Sequence, residues 1–152
     1  MSYFFHAFLF SSEAPSADRA RDYLLEGALF DTRPDISIQP SAAGSFEVMS
    51  LRYDTARKPL VLRRLWGDDA DANREEAAES AEIRGIDEIA SSIRSAPLVL
   101  EWEVERCELD EDAWFALHLW QAWVLGRAKG WLYAPGDGIF DFELKRQIAL
   151  RD

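Results

Sequence analysis

A chain of 152 residues with 48% apolar and 12% aromatic side chains is long enough to bury one ordinary core and too apolar for a disordered segment. Its formal net charge of −11 is uneven: residues 68–88 hold nine acids and two bases, residues 101–112 hold seven acids and one base, and the remainder is slightly positive. A field of that sign repels phosphate backbones, which argues against nucleic acid, and it steers encounter with a basic protein partner.

The lone Cys107 rules out an internal disulfide and a four-thiolate metal site. The opening MSYFFHAFLF has no positive n-region, and no apolar run approaches the roughly 20 residues of a spanning helix. The expectation is a cytoplasmic protein without membrane association, cofactor or metal.

Residues 3–10 are apolar on both alternating faces and predict a central strand covered on both sides. Ser16 caps a helix over 17–26 that Gly27 ends. Ile36 and Ile38 alternate with polar neighbours, SAAGS at 41–45 turns the chain, and a strand over 46–53 completes a hairpin. After a turn at 54–59, residues 60–66 give a further strand, and 67–72 read as an acidic loop. Residues 73–95 are helical in pattern, with Ile83, Ile86, Ile89 or Ala90, and Ile93 on one face and Gly85 as a break.

Pro97 enforces an extended entry to the next strand. There Leu98, Leu100, Trp102 and Val104 point one way, and Glu101, Glu103 and Glu105 point to water or to a partner. Asp110, Glu111 and Asp112 suit the positive end of a helix that Arg127, Lys129 and Gly130 close. A strand over 131–134, a turn at Pro135-Gly136-Asp137-Gly138, and a last strand alternating Phe140, Phe142 and Leu144 complete the chain.

The order β-α-β-β-β-α-β-α-β-β predicts one α+β domain over 1–152, a two-layer, antiparallel-rich mixed sheet with helices packed on one face. Segments 3–53 and 98–145 share a strand–helix–strand–strand order, and a pair of ferredoxin-like halves is one version of it. The expected core includes Phe4, Phe8, Leu100, Trp102, Trp114, Leu117 and Trp131.

No constellation reads as catalytic. Asp69, Asp71, Asn73 and Glu75 alternate like the start of a calcium loop, but Arg74 and Ser80 stand where a glycine and a bidentate acid are required. Acidic neighbours Glu105 and Glu108 work against a thiolate at Cys107. His6, inside an apolar strand, reads as a core histidine. No glycine-rich phosphate loop and no serine nucleophile elbow is present.

The helix over 111–129 is apolar almost all round. Trp114, Leu117, Val124, Leu125 and Ala128 form one face, and Phe115, Leu119 and Trp123 form another. Such a helix is either sandwiched between the sheet and the helix over 83–93, or it pairs with a second copy of the chain or another partner.

Ala122, Gly126 and Gly130, followed by Trp131-Leu132-Tyr133-Ala134-Pro135-Gly136-Asp137-Gly138, resemble the C-terminal helix–glycine–strand–turn element of small acidic bacterial families. Some of those families are immunity proteins of toxin systems, and Ala134 stands where an Asp is common in them. The resemblance implies a partner-binding role and carries over no functional residue.

The resulting expectation is a non-enzymatic interaction protein, immunity-like or homodimeric, with Glu101, Glu103, Glu105, Phe115, Leu119 and Trp123 as its contact residues. The alternative is a small enzyme or ligand-binding module with an aromatic-lined pocket, its polar groups drawn from His6, His118, Tyr133 and Asp137.

Overall fold

A computed structural model of the chain describes residues 2–27, 33–40, 46–54 and 56–150; the SAAGS turn lies outside them. The α+β class holds. Strands β1 (Ser2–Leu9), β2 (Asp35–Pro40), β3 (Phe46–Arg52), β4 (Leu60–Leu65), β5 (Leu98–Glu105), β6 (Gly130–Ala134), β7 (Gly138–Phe140) and β8 (Arg146–Ala149) form one sheet. Helices α1 (Ala17–Gly27), α2 (Gly67–Ile83), α3 (Asp87–Arg94) and α4 (Glu111–Ala128) pack on it.

The strand order is β2-β3-β4-β5-β1-β6-β7-β8, and every pairing among the described residues is antiparallel, where a mixed sheet was expected. Short connections within β2–β4 and β6–β8 permit only antiparallel neighbours. The first meander runs inward from the far edge to β5, and the second runs outward from β1. The two strand–helix–strand–strand segments are therefore not copies of one motif.

Alternation in the central strands explains why helices cover both faces and make three layers rather than the expected two. Phe5, Ala7 and Leu9 of β1 join Leu98, Leu100, Trp102 and Val104 of β5 in a core closed by α1 and α4. Phe8 and Val99, pointing the other way, join a second core with α2 and α3. A sheet apolar on both sides at its centre needs both covers.

On the first face, Ser16 Oγ accepts from Arg19 N at 3.3 Å and starts α1, and Asp110 Oδ1 accepts from Ala113 N at 2.9 Å and starts α4. Helix α4 ends at Ala128 with Lys129 as its cap, so Gly130 stands at C′ as expected. Gly130 also opens β6, with φ 151°, and a Cβ there would lie 2.1 Å from Phe8 O. Only glycine lets the two central strands approach so closely.

On the second face, the expected acidic loop at 67–72 is the first turn of α2. Asp68 and Asp69 complement the helix dipole there, so residues that resemble a turn begin a helix. The buried stripe of α2 is Ala70, Ala77, Ala78 and Ala81, with no isoleucine. Gly85, at φ +80°, ends the helix as Arg84, Gly85 and Ile86 donate back to Ala81 and Glu82 carbonyls. This break puts α3 in a new phase. Ile89 and Ile93 are buried while Ile83 is 82% exposed, which separates the expected isoleucine face.

Two further expectations change. Phe142 and Leu144 do not continue a strand: Asp141 Oδ1 accepts from Glu143 N and Lys145 N, each at 2.9 Å, and turns the chain into β8. Phe4 is 36% exposed because α2 and α3 cover the Phe8 end of that face and leave the Phe4 end open. Trp114 and Trp131 are half-buried at the margins of the two cores, whereas Phe8, Leu100, Trp102 and Leu117 are fully enclosed.

Candidate functional site

Spacings of four and seven residues return to nearly the same angle on a helix, so Trp114, His118 and Gln121 form one stripe along α4. Opposite them, Tyr3 and Phe5 of β1 share a face, as do Leu132 and Ala134 of β6. Phe140 of β7 and Leu144 of the following turn extend the wall. Asp137, in the β6–β7 turn, and Arg106, in a 3-10 turn over Arg106–Glu108, complete it. These residues line a cavity of about 180 Å³ between the helix and the sheet.

Its walls are held in place. Tyr3 OH donates to Pro135 O at 2.6 Å, and the Tyr3 and Phe5 rings meet edge to face with centroids 4.9 Å apart. The Arg106 guanidinium lies 5.0 Å above the Tyr3 ring, and Trp114 stacks on His118 at 5.6 Å. Arg106 and His118 are exposed, whereas Phe5, Leu132, Ala134 and Gln121 are buried, so the lining grades from charged to apolar. Gln121 breaks that gradient. It is fully buried, and among the described residues neither its amide nitrogen nor its amide oxygen has a hydrogen-bond partner.

Of the four polar residues expected around a pocket, His118 and Asp137 are in this lining. His6 and Tyr133 are not, because both point to the opposite face of the sheet. His6 Nε2 lies 2.9 Å from Glu101 Oε2, and His6 Nδ1 is buried without a hydrogen-bond partner among the described residues. Burial pushes the Tyr133 phenol above its usual value, the nearby Glu76 charge adds to this, and a hydrogen bond with Ser80 opposes it.

Glu101, Glu103 and Glu105 do form one row along β5, but cations and hydroxyls of this chain hold them. Arg63, across the β4–β5 pair, bridges Glu101 and Glu103. Ser2 Oγ donates to Glu103 at 3.0 Å and to Glu105 at 2.9 Å, and Lys58 Nζ reaches Glu105 at 3.4 Å. Burial opposes ionisation of Glu103, but the hydrogen bonds from Arg63 and Ser2 outweigh it and hold the carboxyl below its ordinary range. A second cavity, of about 160 Å³, lies beside Ser2, Lys58 and Glu103, among groups already bonded to one another.

Phe115, Leu119 and Trp123 part company. Trp123 is buried against α1, its ring 6.1 Å from Tyr23, with the Arg127 guanidinium 5.4 Å above it. Leu119 is half-buried and sits so close to Gly27 that a Cβ there would lie 3.0 Å from Leu119 Cδ2. Phe115 is 50% exposed. Trp123 and Leu119 are thus packed against α1 and not against residues 83–93, since α3 lies across the sheet, while Phe115 stays open.

The calcium-like spacing is dispersed by α2, on which alternate residues point in nearly opposite directions. Asn73 donates to Asp69 O, Arg74 pairs with Asp71, and Arg94 holds Glu75 and Glu82. Among the described residues no group of three or more His, Cys, Asp or Glu side chains is arranged to hold a metal ion. Cys107 is exposed in the 3-10 turn. No helix among the described residues is long and apolar enough to cross a membrane.

Comparison of the chain with protein-family models, curated proteins and solved structures finds no match. The site therefore stands on its own geometry. Sequence reasoning missed Tyr3, Phe5, Arg106 and Gln121 as members of it. The signal for Gln121 was a lone amide in the Trp114–His118 stripe, flanked by Trp120 and Ala122.

Proposed function

We propose that this chain is a ligand-binding module whose cavity between α4 and the β1–β6–β7 part of the sheet accepts a small, largely apolar molecule. The carrying observation is an aromatic-lined cavity of about 180 Å³, with the charged residues Arg106 and Asp137 and the imidazole of His118 in its lining. Cavities with apolar walls and a few converging polar groups are the usual form of a small-molecule site. An engineered apolar cavity of roughly 150 Å³ holds one benzene ring, so the ligand is about one ring in size, with substituents directed outward.

A fragment screen followed by backbone amide NMR tests this reading. Binding should perturb Tyr3, Phe5, Trp114, His118, Leu132 and Phe140 together and leave α2 and α3 unmoved. Perturbations confined to other surfaces would overturn it.

A second reading, the acidic interaction protein, draws support from the outer side of α2. Asp68, Asp69, Asp71, Glu75, Glu76, Glu79 and Glu82 are all exposed there, with Arg74 and Arg94 the bases paired among them. That surface suits a basic partner, and it shifts the contact residues from β5 to α2. Charge reversal at Asp68, Asp69, Glu76 and Glu79 should slow association with a basic partner and flatten its salt dependence. An unchanged association rate would remove this reading.

A further inference from the structure

The outer face of α4 is left without a cover. Glu111, Phe115, His118, Ala122 and Gly126 follow at spacings of four, three, four and four, so they lie along one line of the helix surface, and all five are exposed. Phe115, 50% exposed, is the large apolar side chain on that line. The two ends of the helix carry opposite charges that stay unmatched. Among the described residues Glu111 and Asp112 have no cation within salt-bridge distance, and Arg127 and Lys129 have no carboxylate. The two bases lie over the Trp123 and Phe142 rings instead. Gly126 is odd for another reason. Its φ is outside the left-handed region, a Cβ there would meet nothing within 4 Å, and glycine weakens a helix relative to alanine. Nothing in the described chain requires a glycine at that place.

We propose that this face is the contact between two copies of the chain, which pair their α4 helices antiparallel about a two-fold axis at the level of Trp120. To within one residue, that pairing sets Phe115 opposite Gly126, His118 opposite Ala122, Glu111 opposite Lys129 and Asp112 opposite Arg127. Each ring thus meets a small residue, and each unmatched acid meets an unmatched base. A two-fold contact of this kind uses one surface twice and closes at the dimer. A parallel pair would set acid against acid. A foreign partner accounts for the open Phe115 but not for a helix face that complements its own reverse. Neither Phe115 nor Gly126 lines the cavity, so the contact leaves the ligand-site reading untouched.

Sedimentation equilibrium of the unaltered protein should show monomer–dimer exchange with a dissociation constant on the order of 10 μM, because one helix pair makes an interface at the small end of the specific range. Gly126→Gln puts a good helix former where the second copy's Phe115 would rest. It should weaken the dimer at least about tenfold while raising the denaturation midpoint, a combination that a purely structural role for Gly126 does not give. Phe115→Ala should weaken the dimer by a similar factor. Lys129→Glu, which sets like charges together at two symmetric places, should weaken it about threefold or more. Adding Glu111→Lys to Lys129→Glu should recover most of that loss, because each copy carries both halves of the pair. A protein still monomeric at about 1 mM overturns the proposal. So does a dimer indifferent to Gly126→Gln and Phe115→Ala, which would use another face, and a folded double variant with no recovery overturns the antiparallel pairing. Gly126→Gln decides the matter even if the double variant fails to fold.

Discussion

Trp102 and Gln121 illustrate opposite uses of the same core. Trp102 is fully buried and meets Trp120 edge to face, with centroids 6.2 Å apart. Trp102→Ala should therefore cost roughly 3–5 kcal/mol by urea denaturation, and a loss below about 1 kcal/mol would contradict the packing described. Gln121→Leu should do the reverse in the ligand-free protein. It removes two unsatisfied polar atoms for a side chain of similar size, and a gain of about 1–2 kcal/mol is expected. A clear loss of stability would mean that the amide already has partners.

At the scale of elements, β6 meets β1 at Gly130 with no room for a side chain. Gly130→Ala would set a Cβ against Phe8 O in a backbone conformation that L-residues avoid, and should cost at least about 2 kcal/mol. Failure of Gly130→Ala to lower the denaturation midpoint would argue against the β1–β6 register. The α1–α4 contact has a different test. Leu119→Glu puts a charge against Gly27 at that contact, so it should lower stability and leave the sedimentation coefficient unchanged. A change in sedimentation with stability preserved would instead place Leu119 in the interface between subunits.

Across the whole molecule, paired acids set the acid limb of stability. Arg94 holds Glu75 and Glu82 below their ordinary carboxyl value by hydrogen bonding, and Arg63 with Ser2 does so for Glu103 against its burial. A carboxyl whose folded value is depressed contributes stability that is full above its unfolded value, 4.5 here. That contribution is lost as pH falls through the lower folded value. Denaturation midpoints should accordingly drop as pH falls below about 4.5, and Arg94→Ala should make the drop shallower. The Glu75 and Glu82 share should also fade in high salt because both are exposed, while the more enclosed Glu103 share persists. An acid limb identical in wild type and Arg94→Ala would contradict these pairings.

The sequence by itself determined what is periodic or capped. Leu98 to Val104 alternate into one core, Ser16 and Asp110 start their helices, and residues 3–9 occupy the centre of the sheet, because such features depend on neighbours a few residues away. The Asp141 turn and the helical start at Gly67 escaped for a related reason, since side chains that favour turns also favour helix ends and can interrupt an apolar alternation. Only the tertiary structure decided which face each helix covers, that Arg63 and Ser2 hold the β5 glutamates, and that α1 shields Trp123. The cavity is the clearest case. Its wall joins Tyr3 to Pro135, partners 132 residues apart, and no local pattern encodes that meeting. Gln121 could be read in the sequence as an odd residue on an apolar helix; enclosure by β1 and β6 is what turned it into a buried donor–acceptor pair.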